Sequence, residues 1–179
     1  AGPLYRTLPT SRLSFGADKL ELRHGDERRY AALVDIKEYA DAVEPGILNA
    51  LLYEASEFIE TQSFSILPRR EAMRALELQR DQLIASDDVV ASQVADMDVA
   101  LNELGDGQFC MGEYHYSLVV FGNAGEGSVA DAGRRAAQAI GAVGEASSLK
   151  LAPVDLVADA AWFAQMPGNW QWRPRNAKL

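Results

Sequence analysis

A glycine-rich loop, one cysteine and two histidines are the places in this sequence where chemistry could be housed. Gly122-Asn123-Ala124-Gly125-Glu126-Gly127-Ser128 reads as a link between a strand and a helix, where phosphate-cradling loops sit. Its Gly-x4-Gly-Ser spacing mimics part of a Walker A element, but the lysine that reaches the phosphates is absent and Glu126 would repel them. A plain strand-to-helix connection is therefore expected. Cys110 and His115 form the one conceivable nucleophile and base, since a shared strand could bring them near each other. No third group that would orient the base is visible. A small free-standing cytosolic enzyme using these two residues stands as the alternative reading. With His24, they fall short of the three or four ligands at set spacings that zinc sites use, so no metal residues are assigned.

The carboxylates Asp87/Asp88 and Asp96/Asp98 are spaced i,i+1 and i,i+2. On a helix such neighbours point in different directions and do not form a shared acid–base dyad. They read instead as a solvated acidic face, suited to meeting a basic partner. Near the end, Trp170, Trp172, Arg173 and Arg175 mix aromatics with arginine, a combination that can stack on bases and touch phosphates. A connector packing against another element is the simpler expectation, because tryptophans left exposed in a tail favour aggregation. Asp87, Asp88, Asp96, Trp170, Trp172, Arg173 and Arg175 are the candidate partner-binding residues. No catalytic or cofactor-binding residue is assigned.

The elements that must position these groups belong to a chain of 179 residues with 26 acidic and 17 basic side chains, a formal charge of −9. Hydrophobic residues make up 48% and charged ones 24%, the balance of a soluble globular domain. A chain of this length buries about 70% of its extended surface, enough to fold without a disulfide or metal. The single cysteine points to a reducing compartment. The net charge argues against unspecific nucleic-acid binding, which needs lysine and arginine against phosphate. No uncharged apolar run approaches the roughly 20 residues of a membrane span. Ala1, with no signal peptide after it, reads as a processed or engineered start.

Residues 1–11 carry Pro3 and Pro9 and read as an extended lead-in. Leu20 and Leu22 then alternate with charged residues, His24-Gly25-Asp26 supplies a turn, and Arg29 to Tyr39 makes the second arm of a hairpin. Pro45, Ile47, Leu48, Leu51, Leu52 and Ala55 predict a short amphipathic helix over 45–56. Phe58 to Leu67 returns to period two. From Arg69 to Leu104 the residues Leu76, Leu83, Val90, Met97 and Leu104 repeat every seven positions, a helix-packing seam. Ser86-Asp87-Asp88 interrupts it, predicting two helices or one bent helix. Between Asp81 and Gly107 there are seven acids and no lysine or arginine, so one patch of surface should be negative. A strand over Glu113–Gly122, a helix over Val129–Val143, a strand over Ser148–Ala152 and a proline-opened helix over Pro153–Met166 complete the order. The expectation is an α+β fold, with a mixed or largely antiparallel sheet covered by helices. Residues 12–166 form one domain in this reading, and 167–179 a connector.

Several of these stretches, in this order, resemble the CagE, TrbE and VirB family of type IV secretion ATPases, the fourth VirB component among them. They include Arg29-Tyr30-Ala31-Ala32, Ile36-Lys37-Glu38-Tyr39, Pro45-Gly46-Ile47-Leu48-Asn49-Ala50-Leu51-Leu52 and Thr61-Gln62-Ser63-Phe64. Gly112-Glu113-Tyr114-His115-Tyr116-Ser117-Leu118-Val119-Val120 follows. The most specific are Ala161-Trp162-Phe163-Ala164-Gln165-Met166-Pro167-Gly168-Asn169 and Arg173-Pro174-Arg175. The family more often has Phe-Trp where Trp162-Phe163 stands, and leucine where Met166 stands.

The resemblance implies a place in a larger machine. Family members carry their ATP- and Mg2+-binding motifs in a C-terminal motor domain beyond the Arg-Pro-Arg stretch. This chain would then be the N-terminal domain, holding no cofactor and not an enzyme by itself. The implied partners are inner-membrane components of the secretion machinery, its own C-terminal ATPase domain and further copies assembling toward a hexamer, with no direct nucleic-acid contact. The implied location is the cytoplasmic face of the bacterial inner membrane, and the implied role is docking and assembly for pilus biogenesis and substrate transfer.

Overall fold

Period-two patterning near the start of the chain folds as the hairpin it predicts. In the computed structural model, which describes residues 11–40, 44–85, 91–123, 128–169 and 177–178, β2 (Lys19–His24) pairs antiparallel with β3 (Glu27–Glu38). Gly25 sits between them at φ +60°, a conformation glycine adopts without a Cβ penalty. A further strand, β1 (Arg12–Phe15), lines the outer edge of β2. The chain continues through β4 (Phe58–Ile66), α1 (Arg69–Ala85), α2 (Ala91–Asp106), β5 (Gly112–Phe121), α3 (Val129–Ala146), β6 (Lys150–Pro153), α4 (Ala158–Ala164) and β7 (Ala177–Lys178). The strands are ordered β1-β2-β3-β5-β4, with β6 on β3 and β7 on β5. The fold is α+β around an antiparallel sheet, as the patterning implied.

Cα packing divides the chain into two compact units, Ala1–Gln62 with Tyr116–Arg175, and Ser63–His115 with Asn176–Leu179; the division falls within β4 and β5. In the first unit β3 is the spine. Its first half pairs with β2, and residues from Val34 to Glu38 pair with β6. The Leu33–Val34 stretch pairs with β5 on one side, while Leu33 O accepts from Val154 N on the other. The strands β2 and β6 therefore lie end to end along the same edge of β3. Ala31 and Leu33 join Leu20, Val119 and Phe121 on one face, where α4 covers them with Ala158, Ala161 and Trp162. Ala32, Val34, Leu118 and Val120, equally buried, alternate to the opposite face. Helix α3 packs on β3 and β6 and turns Ala132, Ala136, Ala139 and Val143 inward. Small side chains along that stripe let helix and sheet approach closely. Each fully buried leucine or valine contributes about 1.5–3 kcal/mol.

In the second unit the seven-residue repeat becomes two helices rather than one bent helix. Arg69 Nη1 donates to Gly105 O (3.3 Å) and Arg80 Nη1 to Asp98 Oδ1 (3.2 Å), which sets α1 and α2 antiparallel. Ala72, Leu76, Leu101, Leu104 and Met111 form their common core. Val90 lies outside the described residues, as do Ser86, Asp87 and Asp88.

Two local expectations are corrected. The segment over 45–56 is a 3-10 helix (Asn49–Tyr53) preceded by turns, not an α-helix. Gly46 stands at φ +89°, outside helical backbone, and Asn49 N and Leu51 N bond to carbonyls three residues back. Pro153 does not open a helix either. It ends β6 opposite Val34, and α4 begins five residues later at Ala158.

Candidate functional site

The two ends of the strand-to-helix loop that mimics a phosphate cradle, Gly122-Asn123 and Ser128, are tied down by protein groups. Ser128 caps α3, its Oγ accepting from Asp131 N at 3.1 Å. The Asp131 carboxylate, almost fully buried, accepts from Asn123 N (2.8 Å) and Arg135 Nε (3.2 Å) and pairs with Arg134. The Asn123 N–H, then the Arg135 and Arg134 guanidiniums, hold this carboxyl below the usual carboxylate range. Arg135 also reaches Asn123 Oδ1 (2.7 Å) and Ser56 Oγ (3.3 Å). Arg29 Nε donates to Gly122 O (3.1 Å), its Nη2 pairs with Glu57 (2.5 Å), and the guanidinium sits 4.5 Å from the Phe121 ring centre. A helix N-terminus favours an anion. Here the chain's own carboxylate meets the first turn of α3, which agrees with a structural connection. Residues 124–127, Glu126 among them, lie outside the described residues.

Cys110 and His115 stand in different surroundings. Cys110 is exposed in the segment before β5, whereas His115 is buried within that strand. Among the described residues, no group of three or more His, Cys, Asp or Glu could hold a metal ion.

Of the candidate partner-binding residues, Asp96 is described and stands exposed on α2. Asp87, Asp88, Trp170, Trp172, Arg173 and Arg175 lie outside the described residues. Helix α2 carries Asp96, Asp98, Glu103 and Asp106 and no basic residue. Arg80, on α1, lies between Asp98 and Asp81, 3.2 Å from each. Beside Asp96 an apolar groove runs between the helices.

The stretch from Ala161 to Asn169 has a structural job. Trp162 sinks into the core, and Gly168 at φ +80° turns the chain after α4. Buried Asn169 then donates Nδ2–H to Phe163 O (2.8 Å) and its backbone N–H to Met166 O (3.0 Å), satisfying carbonyls at the helix end. Sequence reading gave no role to Asp131 or Arg135, and quoted Arg29 and Asn169 only within matching stretches. Ser128-x-x-Asp131, a variant of the capping box, was the available signal for Asp131.

The family described as the CagE, TrbE, VirB family, component of type IV transporter system, matches residues 2–175. The chain belongs to that family. It is 42% identical over its whole length to the type IV secretion system protein PtlC homolog of Bordetella bronchiseptica. It is 39% identical over 177 residues to the type IV secretion system protein virB4 of Brucella abortus, and 33% identical over 180 aligned positions to that of Bartonella henselae. The alignments take in 99–100% of this chain but 21–22% of those relatives, so the chain spans about a fifth of their length. Among the described residues no helix is long and apolar enough to cross a membrane.

Proposed function

We propose that the chain is the N-terminal docking and assembly domain of a type IV secretion ATPase. The whole protein, in this reading, energises pilus biogenesis and the transfer of DNA or effector protein. The observation that carries the proposal is the family match over residues 2–175, joined to relatives of which this chain spans only about a fifth. ATP and Mg2+ then belong to a motor domain elsewhere in the protein, and the chain alone neither binds nor hydrolyses nucleotide. Asp131 at the start of α3 supports this, because its carboxylate already takes up the Asn123 N–H and the two guanidiniums that a phosphate at that helix end would need. The domain sits on the cytoplasmic face of the inner membrane, held by membrane components of the machinery through the acidic region 81–107, and contributes to assembly toward a hexamer.

The test is retention of solubilised inner-membrane components on the immobilised chain. Joint replacement of Asp87, Asp88 and Asp96 by lysine should reduce retention about tenfold, the scale of a like-charge contact placed in an interface. Undiminished retention overturns the docking role. Tight, Mg2+-dependent binding in a nucleotide titration of the chain overturns the assignment of nucleotide chemistry elsewhere.

A further inference from the structure

The groove between α1 and α2 encloses about 610 Å3. Leu76 and Leu83, one heptad apart on α1, face Met97 and Ala100 of α2, with Phe109 and Met111 completing an apolar lining. Leu76 and Met111 are buried beneath it, while Phe109 remains 39% exposed at its side. Two methionines make such a surface adaptable to the shape of an incoming side chain. Among the described residues, polar lining is confined to Gln79, Gln93 and Asp96.

Two features select the occupant. The walls are helices whose backbone groups are used within the helices, so an extended peptide crossing the groove would leave its own N–H and C=O groups unpaired over an apolar floor. A helix brings its backbone bonds with it and needs only side-chain anchors at i, i+3/i+4 and i+7. Charge gives the second selection. Asp96 stands in the lining, α2 has four acids and no base, and Arg80 is engaged by Asp81 and Asp98. We infer that the groove seats an amphipathic helix of a protein partner, with its apolar face on Leu76, Leu83, Met97 and Ala100 and a lysine or arginine flank against Asp96. The inference names the partner class for the docking surface proposed above and rests on that reading.

The test titrates the full 179-residue chain with labelled synthetic peptides and follows fluorescence anisotropy. One peptide is an amphipathic leucine/lysine helix of about five turns. The second has glutamate in place of lysine, and the third scrambles the leucine/lysine sequence so that no apolar face forms. The leucine/lysine helix should bind at least about tenfold more tightly than either control. Ala100→Trp, which fills the groove, and Asp96→Lys, which reverses its charge on an exposed site, should each weaken binding about tenfold. Circular dichroism confirms that each variant is folded, and Asp96→Lys carries the test if Ala100→Trp does not fold.

Equal binding of the glutamate helix or the scrambled peptide overturns the inference, as does undiminished binding by a folded Asp96→Lys chain. A concentration-dependent dimer abolished by Asp96→Lys would instead assign the groove to a second copy. The membrane-component retention assay separates the two readings. Retention lost on triple charge reversal, with no preference among the peptides, leaves docking standing without the helix groove; peptide binding with unaltered retention does the reverse.

Discussion

The Phe64 ring occupies the space beside the Gly112 Cα, so close that a Cβ at 112 would stand 2.1 Å from Cζ and 2.4 Å from Cε2. The two residues lie on β4 and β5, neighbouring strands of the sheet. A ring folded over a strand glycine shields backbone that lacks its own side chain. Phe64 is 54% exposed, so it can swing away at the cost of that contact. Gly112→Ala should therefore cost about 1–2 kcal/mol, within the usual range for overpacking. Adding Phe64→Ala should remove much of the clash, giving a coupling energy of about 1 kcal/mol in a urea double-mutant cycle.

Asp131 sets a pH dependence of one sign. Its carboxyl is held below the ordinary value of 3.8 by Asn123 N–H and the two arginines. A depressed folded-state pKa contributes stability that is fully present above the unfolded value and lost as pH falls through the folded one. Asp131→Asn should thus lower the melting temperature at pH 7. The difference from the unmodified chain should shrink steadily once the pH falls below about 4, where the unfolded carboxyl begins to protonate.

Asp35 behaves in the opposite sense. Burial on β3 raises its pKa to about 6, with the Ile36 N–H opposing the shift from 2.7 Å. Its folded state holds a proton more tightly than the unfolded chain, so the charged form begins to weaken the fold above about pH 4 and does so fully above about pH 6. Asp35→Asn keeps an oxygen for the Ile36 N–H and should stabilise the chain at pH 8 by about 1–2 kcal/mol, allowing for the site's partial exposure. Thermal melts at pH 8 and pH 5 check it, with the gain fading at the lower value.

Asn169→Ala removes the side-chain donor to Phe163 O at the end of a seven-residue helix. The loss should be about 1–2 kcal/mol, since the carbonyl loses its side-chain donor. Hydrogen exchange should accelerate in α4 first, because its short length leaves few internal bonds to resist fraying. Amide protection along α3 should change only with global stability.

What the sequence disclosed was the part governed by periodicity. The alternation around Leu20 and Leu22, the Phe58–Leu67 pattern and the heptads from Leu76 onward each became the element they predicted. The 45–56 segment did not, because its apolar spacing suits a helix while Gly46 bends the backbone out of one. Pro153 misled for a related reason: a proline before an apolar run fits a helix start, but it equally ends an edge strand. The acidic character of α2 was readable from composition alone. The groove beside it was not, since Phe109 and Met111 come from the segment leading into β5 and only tertiary packing brings them to Leu76 and Met97. Nor was the Asp131 cluster, whose partners at Ser56, Asn123 and Arg135 are scattered along the chain.

The end-to-end placement of β2 and β6 on one edge of β3 governs the order in which the chain can finish folding. Glu38 waits for Lys150, 112 residues later, and the Ser63–His115 part of the second unit is synthesised in between. Until then the far half of β3 keeps one margin open, with its N–H and C=O groups unsatisfied and ready to pair with another chain. Chains cut short before residue 150, or stalled on the ribosome there, should be the aggregating species. The few residues of β6 thus act as a closing stitch, and synthesis through Pro153 becomes a condition for keeping that edge closed.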